Sequence, residues 1–492
     1  MKLYNGYKRL TRNYTLMTDE YEFTMANGYL KSKKENEEAV FDIFFRKVPN
    51  NGGYAIMAGV DKLIEFIQNF KFEERELDYF RRKGYDNEFI EYLKNFKFKG
   101  DIYAVPDGTP VFPNEPIVTV KAPLIEAQIV ETALLSIVNG AMEHATGARR
   151  IIEATPEGVG VMEFGARRAD GLEAAIDASI YGIMAGCVGT SNIIAADMLN
   201  MKAMGTQAHS WIESYPTELE AFISYAKAYP NNCILLVDTI DTLKSGVPNA
   251  IKTFQFMKEN GYNIDNIGIR IDSGDLAYLS KMARKMLDEA GFPQAKICLS
   301  NGLTAETIET IINQGAKFNS LGVGDNISKP EGRMGCVYKE VALRTNDNFE
   351  PKIKLSNDTI KIVNPGYKKL YRAYDNDNGY AVADIMTLYD KRLSEKYTNK
   401  ELIIVCPTDK LKNKALTNIT VKELQVPIFK EGKLVYDDPD IITKRNYCNE
   451  QMKKLYPEVR RSINPHIYYV DGTEEYVDFK YNLIEKTRKL VR

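Results

Sequence analysis

Along the middle third of the chain, short apolar or β-branched runs alternate with stretches whose apolar residues recur at helical spacing. The runs are "GVGVMEF" (158–164), "MKAMGT" (201–206), "CILLVDT" (233–239), "IGIRIDS" (267–273), "KICLSN" (296–301) and "NSLGVGD" (319–325). Between them, "TELEAFISYAKAYP" (217–230) and "AYLSKMARKMLDEAGF" (277–292) read as helices, the second stopped by Gly291 and Pro293. Strand starts recurring every 20–45 residues or so predict repeated βα units and a parallel sheet.

Polar residues cluster at the ends of these runs: Glu163, His209, Asp238, Asp272, Ser300 and Asp325. In a parallel α/β barrel or doubly wound sheet, the C-terminal strand ends build the site. Asp and Ser also make good helix caps, so one such residue decides nothing. Six strands behaving alike point to a site.

The flanks read differently. "DKLIEFIQNF" (61–70) and "NEFIEYLKNF" (87–96) are amphipathic helices, "DIYAVPDGTPVFPNEPIVTVKAP" (101–123) is Pro- and Gly-punctuated β structure, and residues 125–154 form a long helical segment. After about 345 the rhythm breaks into short strands, turns such as "NDNG" and charged helices. With 492 residues, beyond the usual size of one domain, the chain is expected to hold an α+β N-terminal domain (1–125), an α/β barrel (126–344), and returning strands with a C-terminal domain (345–492).

Composition narrows the function. A net charge of −2 gives no global electrostatic case for nucleic acid or an anionic membrane. Six scattered cysteines without a CxxC pair argue against a zinc ribbon or a disulfide framework, and for a reducing compartment. There is no apolar run long enough for a membrane span and no secretory h-region at the start. A soluble cytoplasmic protein is expected.

Among the candidate constellations, "GIRIDSGD" (268–275) is the most specific: a strand delivers Arg270, Asp272, Ser273 and Asp275 into a turn at Gly274. Arg270 offers a planar fork for carboxylate or phosphate, the turn offers backbone N–H groups, and the aspartates suit ribose hydroxyls or Mg²⁺. The alternative is a capping turn beside a surface arginine. "SNGL" (Ser300, Asn301, Gly302) and "GVGD" (Gly322, Gly324) are glycine turns at consecutive strand ends, the arrangement of a phosphate cradle late in a barrel; either alone could be a plain turn. "EFGARRADG" sets Phe164 beside Arg167 and Arg168, which suits a flat anionic ring, or merely two solvated arginines. Asp238 and Asp241 in "VDTIDT" are candidates for Mg²⁺ or hydroxyl binding, or caps. "TDEYEFTM" (18–25), with Asp19 and Tyr21, reads by itself as a helix start or core. Of three histidines, His144 and His466 read as structural or exposed, while His209 shares the strand-end level of the other candidates.

These stretches, with "GTQAHSW", "VDTIDTLKSGVPNA", "MGCVYKEVAL", "PKIKLSND" and "NPGYKKLYR", follow the order and spacing of the nicotinate phosphoribosyltransferase family, which the chain resembles over essentially its whole length. The resemblance implies an irregular parallel α/β barrel of the type II phosphoribosyltransferase kind, with an α+β N-terminal domain and a C-terminal extension. It implies transfer of phosphoribosyl from 5-phosphoribosyl 1-pyrophosphate (PRPP) to nicotinate, giving nicotinate mononucleotide and pyrophosphate, with ATP hydrolysis coupled and Mg²⁺ expected. It further implies a homodimer with active sites at the interface. By the same resemblance, His209 is the residue transiently phosphorylated by ATP. Phe164 and Tyr21 stack on the nicotinate ring, with the tyrosine supplied by the partner subunit. Arg167, Arg168 and Arg270 meet the carboxylate and phosphates, and the glycine turns hold the 5′-phosphate. Asp325 departs from the pattern, standing where the family commonly has a hydroxylated residue. The nearest rival is nicotinamide phosphoribosyltransferase, where an acid accepts the amide N–H near the second strand; here that stretch reads "GTSN" (189–192) with neutral Ser191. A non-catalytic metabolite-binding paralogue is the alternative of a different class.

Overall fold

Six short parallel strands carry the middle of the chain: β1 (Gly160–Glu163), β2 (Gly189–Thr190), β3 (Cys233–Leu236), β4 (Ile267–Ile271), β5 (Lys296–Ser300) and β6 (Ser320–Val323). The computed structural model describes residues 1–346, 348–355, 362–398 and 400–490. The chain divides into two units, one of residues 1–2, 6–143 and 332–492, the other of 3–5 and 144–331. The division falls within the helix Glu131–Glu153.

In the second unit the strand order is β2-β1-β6-β5-β4-β3, and every pairing is parallel. The last strand thus returns to the first, which curls the sheet into an irregular barrel. The strands are apolar on both faces (Leu235, Ile269, Leu299 and Leu321 are fully buried), as a parallel sheet covered by helices requires. The intervening helices start where side chains cap them: Thr217 before Glu218–Ala228, Asp275 before Leu276–Glu289 and Thr304 before Ala305–Asn313. Gly291, at φ 82°, follows the second of these helices as its sequence predicts.

One predicted strand is absent. Residues 201–206 run extended without strand pairing, joined to the sheet where Met204 N donates to Thr190 O at 2.8 Å. The strand in that place is β2, whose two residues have no apolar run to announce it. The segment lies close because Gly189 has no side chain: a Cβ there would meet Met204 Sδ at 2.4 Å.

Among the described residues, the first unit holds two seven-stranded sheets and a small hairpin. One sheet runs, in spatial order, Asn348–Pro351, Cys336–Thr345, Glu38–Phe45, Val118–Pro123, Asp101–Ala104, Val426–Lys430 and Lys433–Leu434. Strands from both ends of the chain therefore share a sheet. The other sheet contains the hairpin Lys368–Asp375 and Ala381–Leu388, closed by "NDNG" with Gly379 at φ 76°. Of the "PKIKLSND" stretch, residues 356–358 lie outside the described residues. Among the described residues, no helix is long and apolar enough to cross a membrane.

Candidate active site

The parallel register puts the ends of β1 and β3–β6 at one side of the barrel, with Ser300 opposite Gly322, Leu299 opposite Ile271 and Val323 opposite Glu163. At that side Arg270 is fixed by three segments. Its Nε donates to Ser300 Oγ at 2.8 Å, Nη1 to Thr206 Oγ1 at 3.3 Å and Nη2 to Asp272 Oδ1 at 2.9 Å. Ser300 Oγ in turn donates to Asp272. The guanidinium carbon stands 5.6 Å from the centre of the Phe164 ring, within cation–π range. Because a guanidinium carries five N–H donors, donors remain for an incoming anion.

Phe164 keeps its place because of a glycine. A Cβ on Gly322 would approach the Phe164 ring to 2.6 Å, so this glycine yields space to the ring. Gly322→Ala is expected to push Phe164 off the guanidinium or to cost about 1–3 kcal/mol through overpacking. A variant with an unmoved ring and an unchanged thermal midpoint would contradict this.

His209 opens the helix His209–Glu213, half-buried, with Nδ1 3.0 Å from Thr239 Oγ1 just beyond β3. Asp238 joins the loops after β3 and β4: its Oδ2 accepts from Asp272 N at 3.2 Å and Ser273 Oγ at 2.5 Å. Its Oδ1 is buried without a partner, a position that suits a ligand hydroxyl or a cation. Asp241 and Asp275 have other work. Asp241 accepts from Lys244 N at 2.8 Å and Leu243 N at 3.1 Å, backbone donors that hold its carboxyl below the usual range. Asp275 caps its helix by accepting from Tyr278 N at 2.9 Å. No group of three or more His, Cys, Asp or Glu side chains among the described residues is arranged to hold a metal.

Around this centre, Ser273, Gly274, Asn301 and Gly302 are exposed, with Gly274 at φ 77°, Asn301 at φ 105° and Gly302 at φ 55°. A non-glycine residue held at positive φ stores strain, a habit of binding loops, and such turns present backbone N–H groups to anions. Asn326 Nδ2 donates to Leu303 O at 2.8 Å, tying the loop after β5 to the one after β6. Asp325 turns to Arg168, its Oδ1 3.4 Å from Nε with both side chains half-exposed, and Arg167 is exposed beside them. A carboxylate at this strand end is thus met by an arginine.

Glu163 is buried and holds the fold together: it accepts from Gly165 N, from Ser179 Oγ at 2.9 Å and from Thr190 Oγ1 at 2.5 Å. It fixes the turn that presents Phe164 and the two arginines. His144 is structural too, its Nδ1 3.1 Å from Ile327 O.

Asp19 and Tyr21 belong to the first unit, where Asp19 precedes the helix Glu20–Lys31. Tyr21 is 44% exposed, and burial together with the Glu131 charge pushes its phenol up. The neighbouring Glu22 is fully buried and accepts from Thr132 N at 3.1 Å, anchoring the turn that carries the tyrosine.

Two contacts were not singled out from sequence: Thr206 on Arg270 and Thr239 on His209. Both lie inside the quoted motifs, as hydroxyls three residues before His209 and one after Asp238, which is the signal that could have found them.

Comparison with known proteins gives this geometry its context. Residues 16–139 match the model for the nicotinate phosphoribosyltransferase (NAPRTase) N-terminal domain, 159–375 the NAPRTase family model and 367–480 the NAPRTase C-terminal domain. A nicotinate phosphoribosyltransferase of Bacillus subtilis is 40% identical, over 97% of this chain and 96% of its own length. One of Caenorhabditis elegans is 33% identical over 95% and 93%. The crystal structure of human nicotinic acid phosphoribosyltransferase superposes with a TM-score of 0.83 at 26% identity, covering 95% of this chain and 99% of that one. Motifs, barrel and relatives agree: the chain belongs to the nicotinate phosphoribosyltransferase family of transferase enzymes.

Proposed function

We propose that this chain transfers the phosphoribosyl group of PRPP to nicotinate at the barrel's strand-end mouth, releasing pyrophosphate, and that ATP drives the reaction through His209. The observation that carries the proposal is Arg270, clamped by Ser300, Thr206 and Asp272 beside the Phe164 ring with donors to spare. An aromatic face next to a fixed guanidinium suits a flat ring bearing a carboxylate.

The chemistry asks little of a general base. Nicotinate's pyridine nitrogen has its lone pair available at neutral pH and attacks the anomeric carbon of PRPP. The bond to the pyrophosphate oxygen breaks as the N-glycosidic bond forms, through an oxocarbenium-like state. The protein's part is positioning and charge stabilisation. Ser300, Asn301 and Gly302, with Ser273, Gly274 and Gly324, offer N–H and O–H donors to the 5′-phosphate and pyrophosphate. Asp238 Oδ1, buried without a partner, suits a ribose hydroxyl or one coordination position of Mg²⁺, which typically takes only one or two protein carboxylates and otherwise binds substrate phosphates. When bound, that cation neutralises charge on the leaving pyrophosphate. Asp241 and Asp275, as helix caps, are poorer partners for it.

His209 acts toward ATP rather than in the transfer. With Nδ1–H donating to Thr239, the Nε2 lone pair is left to accept the γ-phosphoryl group as ADP departs. Phosphohistidine then tightens substrate binding, and its hydrolysis pulls the transfer toward product.

A homodimer belongs to the same proposal. Leu172, Ile193, Ile194 and Ile240 are 87%, 76%, 41% and 69% exposed, and all follow the C-terminal ends of β1–β3. Apolar residues gathered there call for a cover, and Tyr21 of a partner is the expected lid on the nicotinate ring. Sedimentation as a monomer at micromolar concentration would contradict it. The site of action is proposed to be the cytoplasm.

Nicotinamide is the rival substrate. Ser191, next to β2, is neutral and leaves a carboxylate unopposed. Assay of both pyridines with PRPP is expected to show turnover of nicotinate with at least about a hundredfold preference, the scale of an unpaired buried polar group. Comparable turnover of the amide would refute the assignment.

A further inference from the structure

The first unit contains a cavity of about 850 Å³ that the barrel chemistry does not use. Its walls come from the strand Glu38–Phe45 and the residues after it, the 113–116 loop, residues 362–368, the turn joining Leu402–Cys406 to Asp409–Leu416, the 466–471 segment and the helix Glu474–Lys489. Among the described residues, six cations line it: Arg46, Lys47, Lys368, Lys412, Lys414 and Lys480. Two carboxylates face them. Asp42 is consumed by a buried contact to Lys368 at 2.5 Å and by Thr119 Oγ1 at 2.7 Å. Asp471 is set against Lys414, while burial pushes its carboxyl up to about 6.

Two of the cations lack a charged partner where one is most needed. Lys480 is 2% exposed, and among the described residues its Nζ reaches only the neutral Asn364 Oδ1, at 2.8 Å. Burial, reinforced by Lys368, pulls its ammonium down to about 8. Arg46 stacks its guanidinium 5.6 Å from the Phe44 ring, and its Nε is buried without a partner. An unpaired ammonium in the interior is costly, and its position in the wall of a large cavity suggests an anion to compensate it. The rest of the wall combines apolar and aromatic side chains, among them Phe44, Val363 and Tyr468, the last stacked on Phe112 at 3.8 Å, with polar ones at Asn114, Asn413 and His466. The volume lies in the range of small-molecule sites.

We propose that this cavity is a second ligand site, distinct from the barrel mouth, for a small phosphate monoester with a flat apolar body, its phosphate seated between Lys480 and Arg46. Multiple cations beside aromatic walls select that two-part ligand over a neutral metabolite or a bare ion.

The test is calorimetric titration of the full chain with AMP, with inorganic phosphate and adenosine as head and body alone, each with nicotinate mononucleotide saturating the barrel. AMP is expected to bind once per chain, phosphate at least tenfold more weakly and adenosine not measurably. Lys480→Met is expected to weaken AMP at least tenfold while the thermal midpoint stays at or above that of the parent, since it removes an unpaired buried charge. Arg46→Gln, at a half-exposed position that tolerates change, is expected to weaken AMP similarly. Failure of all three probes to bind overturns the proposal. So does AMP binding that nicotinate mononucleotide abolishes, or that both variants retain. Phosphate binding as tightly as AMP would overturn the two-part ligand.

Discussion

Arg270→Ala is expected to lower kcat/KM for nicotinate by about 10²–10³, the usual consequence of deleting one preorganised charge donor. The side chain is 14% exposed and its contacts come from Thr206, Asp272 and Ser300, so its direction is set before any ligand arrives. Arg270→Lys is expected to recover little, because an ammonium cannot form the fork that meets Ser300 and Asp272 together. Both variants should fold: the lost contacts lie at the barrel mouth, and Asp272 keeps its hydrogen bond from Ser300. An Arg270→Lys enzyme within about threefold of the parent would show that the cation acts only through its charge, and would remove the clamp from the account.

The largest effect on stability is expected in the first unit. Arg372 and Asp384 face each other across the hairpin of the first unit, 1% and 0% exposed, in a two-pronged pair at 2.7 and 2.6 Å. Arg372 also donates to Pro110 O at 2.8 Å, and Tyr468 donates to Asp384 at 3.1 Å. Glu115 lies beside them, its carboxyl pushed well above the usual range by burial and by the Asp384 charge. Arg372→Met leaves two buried carboxyls with no cation. At neutral pH the loss should be about 3–5 kcal/mol, the scale for breaking a buried pair. The sign of its pH dependence follows. Without the guanidinium, the Glu115 carboxyl, already raised by burial and the Asp384 charge, loses the cation that holds it down, so the variant's stability is retained at low pH and lost as pH rises through that raised value. Denaturant titrations at pH 5.5 and 7.5 should show a smaller deficit at the lower pH. An equal deficit at both would mean that the arginine contributes packing rather than charge.

Much of the barrel was legible because its strands obey one rule. Buried parallel strands must be apolar throughout, and "CILL", "IGIRI" and "KICLS" announce themselves by it. The strand Gly189–Thr190 does not, since two residues cannot form a pattern. The Met201–Thr206 run carries the apolar pattern without the pairing, because it packs on the missing side chain of Gly189 instead. The merging of strands from both ends of the chain into one sheet was not legible either. The pairing of Val426–Lys430 with Asp101–Ala104 joins residues more than three hundred positions apart, and no local spacing encodes it.

At the candidate site, strand-end position picks out Arg270, Asp272, Ser300 and Asp238, and by the same logic Glu163, Asp241 and Asp275. What separates the two sets is where each carboxylate finds its donors. Asp241 and Asp275 find them in their own following turn, and Glu163 in buried hydroxyls. Asp238 reaches across to Asp272 and Ser273 and still leaves one oxygen unmet. Chain spacing does not distinguish a cap from a ligand contact. The role of Gly322 was hidden for a similar reason, since its neighbour Phe164 lies 158 positions away and touches it only through the β1–β6 pairing.

The most direct measurement joins phosphorylation to transfer at His209. Wild type and His209→Ala are incubated with γ-labelled ATP, nicotinate and PRPP; protein-bound label and nicotinate mononucleotide are followed together. The account predicts acid-labile label on the wild type, none on His209→Ala, and nicotinate mononucleotide formation by the variant that persists but no longer responds to ATP. Label retained by His209→Ala, or a wild type that forms product without any stimulation by ATP, would contradict it.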